Sequence, residues 1–452
     1  MPDQLEQFKH ISLQLTKQGI ASPGGYPRPS SRSVTNKGNR DGHGRSLQNS
    51  VSSIVSSWQS ELDRRQKEGL PDTPALPSFL LQVDPDSFDA DSLRGFDIEV
   101  VLELEDGYIL GASSDAELTQ LQEKIEKFIA EERGGGKIAE IWQILEGQFE
   151  RLEYILSPDL LARWDQILDD HSYILDVSIA CVGLTQNFPN FPPKKEDEEP
   201  ETYANRVARW TDKRNQTIEE WDQLQLNRED DFENFVRGLG GHCLLLGDRD
   251  DRSHLALLPD SFSGRIEISG KGLKDLAANY PYVFEISEPE QTSESLANRT
   301  TTATERPSFT LSPPSATAPK VCIIDSGIQE SHRFLRAAMD TESSISWVPG
   351  EEHQKADYVS GGGHGTRVAG AVLYPQGIPW EAEGETAICW IQNARVLDRD
   401  CYLPTDLYLP DILNRIVDIY YRQHGTRIFN QSITSKSPCR KIYMSAWAAE
   451  ID

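Results

Sequence analysis

Residues 320–327 read KVCIIDSG, and residues 361–370 read GGGHGTRVAG. In the first stretch the apolar run Val321-Cys322-Ile323-Ile324 ends in Asp325-Ser326-Gly327. An apolar strand closing on Asp and Gly is how an α/β sheet presents a carboxylate at its C-terminal edge. In the second, glycines crowd His364, and Val368, Ala369, Val372 and Leu373 begin a helical pattern at once. That places His364 at a helix N-terminus. The positive end of the dipole there disfavours the imidazolium and favours a neutral base. Small neighbours let a polypeptide backbone come close. Downstream, residues 390–398 (WIQNARVLD) read as a strand. Leu409, Ile412, Leu413, Ile416, Ile419 and Tyr420 form the apolar face of a helix that Gly425 ends, and TRIFNQSI (426–433) reads as another strand. Strand–helix–strand at this spacing implies a right-handed crossover and a parallel sheet.

The motifs IIDSGI (323–328), GHGTRVAG (363–370), ARVLD (394–398) and IFNQSI (428–433), in this order, resemble the subtilisin-like serine proteases, or subtilases. The resemblance implies an endopeptidase with an Asp–His–Ser triad, in which Asp325 is the orienting acid and His364 the general base. Ser432, Ile433 and Thr434 match the strand whose backbone pairs with the substrate peptide. The resemblance covers 319–452 and implies a partial doubly wound parallel sheet of subtilisin type. One part of the pattern is missing. The nucleophile of the family sits in a Gly-Thr-Ser-x-Ala segment, but the two Gly-Thr pairs, 365–366 and 425–426, are both followed by Arg. Asn430 lies in the substrate-strand motif and does not match the oxyanion-hole Asn. KIYMSAWAAEID (441–452) reads as a helix with Tyr443, Trp447 and Ile451 on one face and no stop signal. The chain is therefore expected to hold the first half of a catalytic domain and to be inactive alone. The alternative is a pseudoprotease or regulatory protein that pairs with peptides without cutting them.

Upstream, Leu47, Val51, Ile54, Val55, Trp58 and Leu62 mark one face of an amphipathic helix over 46–70. Two small α+β modules follow, over 76–150 and 151–288. Each reads as strand–helix–strand–strand–helix with a closing strand, the ferredoxin-like order, which is also that of subtilase propeptides. A charged loop, 194–201, lies in the second. A Ser/Thr/Pro-rich linker spans 289–318. Residues 1–45 are expected to be a disordered basic arm, because 20–45 lack apolar periodicity.

The chain has 452 residues, 37% hydrophobic, and a net charge of −27. Residues 1–70 carry ten Lys/Arg and six Asp/Glu, which leaves −31 for the remainder. A body that acidic repels phosphate backbones, so nucleic acid is excluded as a partner. No apolar window approaches a membrane-spanning length of about 18 residues. The six cysteines include no Cys-x-x-Cys pair, which points to free thiols and a cytoplasmic location. No cofactor is called for, and no acidic loop has calcium-ligand spacing. The partners the resemblance implies are a polypeptide substrate and either a complementary protease half or an AAA-type ATPase, for which the helix face over 47–62 would be suited.

Overall fold

Among the described residues, two antiparallel sheets with the same strand order precede a four-stranded parallel sheet and a two-stranded parallel one. The computed structural model describes residues 29–73, 78–104, 107–146, 150–184, 190–195, 197–244, 255–258, 260–292, 310–359, 363–378, 384–436 and 443–452.

The first unit opens with helices α1 (Ser31–Gly38) and α2 (Arg40–Glu68). Strands β1 (Phe79–Val83), β2 (Glu99–Glu103) and β3 (Tyr108–Ala112), helix α3 (Thr119–Ile129) and strand β4 (Ile141–Glu146) follow. A 3₁₀ turn over Ala90–Phe96 connects β1 to β2. The sheet order is β2-β3-β1-β4, every neighbour antiparallel. Phe79, Leu81 and Val83 point to one face of β1 and pack with Leu47, Val51 and Ile54 of α2 and Leu121, Ile125 and Phe128 of α3. Two expectations are corrected here. Part of the arm expected to be disordered, Ser31 to Arg45, is helical, while residues 1–28 lie outside the described residues. The reason is tertiary: Asp84 accepts from the backbone N–H of Ser30 and from Ser33 Oγ, and Ser30 caps α1 by accepting from Ser33 N–H. Anchoring offsets an ordering cost that composition alone does not reveal. The apolar face over 47–62 is not open along its length: Leu47, Val51 and Ile54 are buried in the unit's own core.

The second unit comprises α4 (Leu152–Ile155), α5 (Pro158–Ala162), β5 (Ser172–Ala180), α6 (Pro200–Gly238), β6 (His242–Cys243), β7 (Ala256–Leu258), β8 (Ser261–Ser269), α7 (Gly270–Asn279) and β9 (Val283–Ser287). Its main order, β6-β8-β5-β9, repeats that of the first unit, again antiparallel, with β7 added on β8. Leu102, Leu110 and Ala112 from the first sheet join its core beside Leu152, Leu175 and Phe232. At the seam, Arg228 forms a buried bidentate ion pair with Glu99, at 2.6 and 2.9 Å, and lies over the ring of Tyr282.

The third unit pairs β10 (Thr310–Ser312) with a later strand and then builds its main sheet. The elements are β11 (Lys320–Asp325), β12 (Ile345–Ser346), α8 (His364–Leu373), β13 (Gly384–Thr386), β14 (Trp390–Arg395), α9 (Leu409–His424), β15 (Ile428–Gln431) and α10 (Ala446–Ile451). The sheet order is β12-β14-β11-β15, all parallel, and β10 pairs with β13. Val321, Ile323 and Ile391 pack on α8 through Ala369 and Leu373, whereas Cys322, Ile324 and Ala394 pack on α9 through Ile412, Leu413 and Ile416. Alternation along the strands thus covers both sheet faces with helices. The last helix starts later than its periodicity suggested. Ser445 is its N-cap, accepting from Ala448 N–H, and Tyr443 precedes it and stacks edge-on with Phe284. The expected linker is described only in part: 293–309 lie outside the described residues, and Thr310–Ser312 is strand.

The second unit docks on the third. Arg265, paired with Asp176, donates to Thr405 O (2.5 Å) and Leu407 O (3.1 Å), and Tyr408 Oη donates to Ser263 Oγ (2.7 Å). Past β9, Thr292 bridges Ser435 in antiparallel fashion, and Lys436 N–H donates to Gln291 O at 2.8 Å.

Candidate active site

Asp325 is the last residue of β11, at the carboxyl edge of the parallel sheet, and is 1% exposed. His364 is the first residue of α8. Two glycines let these elements meet. A Cβ on Gly365 would lie 2.3 Å from Gly327 O and 3.1 Å from Asp325 Cβ. A Cβ on Gly363, at φ +71°, would lie 2.2 Å from Asp357 Oδ2. Gly361 and Gly362 of the same motif lie outside the described residues.

His364 Nδ1 is 2.7 Å from Asp325 Oδ1 and 2.9 Å from Oδ2. A carboxylate only accepts, so Nδ1 carries the proton and Nε2 is left as the basic nitrogen. The hydrogen bond with Asp325 raises the imidazole above its ordinary value of 6.5; the charges of Asp325 and Asp357 add to this, while burial and Arg367 oppose it. The helix N-terminus was expected to disfavour the imidazolium; the carboxylate at contact distance acts in the opposite direction.

Ser432, Ile433 and Thr434 leave the carboxyl end of β15, the strand beside β11. Ile324 pairs with Gln431, so the next step in register sets Ser432 level with Asp325. Ser432 and Thr434 are exposed, and Ile433 packs partly on the α9 core. The structure thus brings Asp325 and His364 into contact and leaves Ser432–Thr434 at the same sheet edge.

Residues 316–451 match the subtilase family. Residues 41–148 match a second family description, the Y4kK N-terminal domain. No curated protein matches the chain. The subtilase match spans β11, α8, β14, α9 and β15 and gives the segment a serine-protease-like character. Among the described residues, no group of three His, Cys, Asp or Glu could hold a metal ion, and no helix is long and apolar enough to cross a membrane.

Sequence reasoning missed the groups that surround the Asp325–His364 pair. Ser326 N–H donates to Asp325 Oδ1 at 2.7 Å. Arg395, fully buried at the end of β14, donates to Gln354 O and Glu351 and so secures the loop before α8. A buried Arg at a strand end was the available signal, since such a charge needs partners.

Proposed function

We propose that this chain supplies the acid–base part of a subtilisin-type serine endopeptidase. Asp325 orients the imidazole and stabilises its charged form, and His364 takes the nucleophile's proton through Nε2. Ser432–Thr434 pair with the backbone of the polypeptide to be cut. The observation that carries this reading is the Asp325–His364 contact at a strand end and a helix start. Neither Gly-Thr pair of the sequence is followed by Ser, so on this reading these residues supply the acid and the base and not the nucleophile. The unit over 76–150 is assigned the propeptide-like role, and the second unit, which repeats its strand order, docks on the third.

A second reading, peptide binding without cleavage, has its own support. The segment just past Thr434 already pairs with backbone of its own chain, through the isolated bridge Thr292–Ser435 and the Lys436–Gln291 hydrogen bond.

Turnover of a fluorogenic peptide separates the two. The chain alone is expected to stay at background, because loss of the nucleophile costs a subtilisin-type enzyme about 10⁶ in kcat. Supplying a segment with Gly-Thr-Ser-x-Ala is expected to restore hydrolysis, and His364→Ala to abolish it again. Peptide binding with no hydrolysis under complementation would favour the second reading.

A further inference from the structure

The loop before α8 carries a second buried carboxylate that no motif marks. Asp357 is 3% exposed. Its Oδ2 accepts from both the backbone N–H and the hydroxyl of Thr366, each at 2.9 Å. Its Oδ1 accepts from Ser326 Oγ at 3.1 Å and from Val359 N–H at 3.2 Å. Ser326 Oγ accepts in turn from Gly365 N–H at 3.0 Å, and Thr366 Oγ1 from Gln329 N–H at 3.0 Å. The N-cap of α8 is Gly363, which has no side chain to offer. The first-turn N–H groups of Gly365 and Thr366 are therefore satisfied by Ser326, the residue after Asp325, and by Asp357.

Asp357 is itself held from another element. Asn393 Nδ2 donates to Lys355 O at 2.8 Å, and Arg395 donates to Gln354 O at 2.8 Å. Both donors belong to β14, so the loop's place does not depend on α8.

We propose that Asp357 is a positioning residue for the Asp325–His364 pair: it clamps the first turn of α8 against the end of β11 and so fixes the imidazole on its carboxylate. The role rests on the protease reading above and adds to it a residue that acts through Thr366 and Ser326. The charged groups around the imidazole are Asp325 on β11, Asp357 on the loop and Arg367 on α8. Cys401, from the loop after β14, has its thiol pushed up to about 12 by burial and is neutral.

The test is NMR of the ring nitrogens of His364 in the full chain. The wild-type chain is expected to show a protected Nδ1–H bonded to Asp325. Asp357→Asn is expected to weaken that signal and to lower the His364 midpoint by about half to one pH unit. Thr366→Val should act in the same direction, and Thr366→Ser, which keeps the hydroxyl, should preserve the signal. Loss of the Asp357 charge alone moves the midpoint, so the Nδ1–H signal decides: a purely structural role would lower Tm in Asp357→Asn with that signal unchanged, and that result overturns the proposal. Should Asp357→Asn fail to fold, the Thr366 pair decides: identical signals in Val and Ser variants overturn it. None of these readouts needs hydrolysis. Failed complementation with the wild-type signal intact would sink the protease reading and leave the positioning role standing.

Discussion

His364 and His43 are shifted in opposite directions from the ordinary imidazole value, and each direction follows from what the ring touches. His43, on α2, has Nε2 at 2.9 Å from Ile141 O and 3.3 Å from Ile138 O, with no carboxylate partner. Burial lowers it below 6.5, and the carbonyls recover only part of that. A lowered folded-state value gives stability that is present above the unfolded value of 6.5 and lost as pH falls through the folded one. His364 is raised, so its contribution is present below 6.5 and lost as pH rises through its folded value. Residue-resolved NMR titration is expected to place the His364 midpoint above 6.5 and that of His43 below it. The opposite order would refute this account. A general base must be neutral, so complemented hydrolysis should rise with pH through a midpoint above 6.5. Asp325 and His364 were legible because close approach of β11 and α8 requires small residues, which leave a recognisable string. Asp357 was not. Its donors Thr366 and Ser326 lie 9 and 31 residues away, and Lys-Ala-Asp-Tyr-Val has no pattern that announces them.

At the scale of elements, periodicity located α2, α9 and the alternating strands, since each buries one face and exposes the other. It failed at α1, where order comes from Asp84, more than fifty residues along the chain. It also missed β12, which has two residues, and β10 and β13, which have three each, too short for any period to show. The helix α2 provides a direct check of where its apolar face lies. Leu47 is 2% exposed, packed in the first unit's core. Leu47→Ala is expected to cost about 2–5 kcal/mol by the cavity it leaves, read as a lower midpoint in urea denaturation of the full chain. Stability unchanged by this substitution would mean that α2 is a free docking helix after all.

Across the whole molecule, the repeated strand order of the first two units was readable from element succession, but their stacking was not, because it depends on Arg228 meeting Glu99. Both side chains are 6% exposed. Glu99→Gln should leave the guanidinium buried without a counter-charge, at a cost of about 3–5 kcal/mol, whereas Glu99→Leu with Arg228→Met should recover most of it. Thermal unfolding of the two variants beside the wild type tests this; a loss under about 1 kcal/mol for Glu99→Gln would show that water reaches the pair. The contact between the second and third units has a different kind of consequence. Gln291 and Thr292 pair with Lys436 and Ser435 and are covalently part of the same chain. Such an internal pairing acts at an effective concentration that does not fall on dilution. A free polypeptide that seeks the backbone of Ser435 and Lys436 meets a competitor already in place. Its apparent affinity is lowered by the fraction of time that the internal pairing is formed.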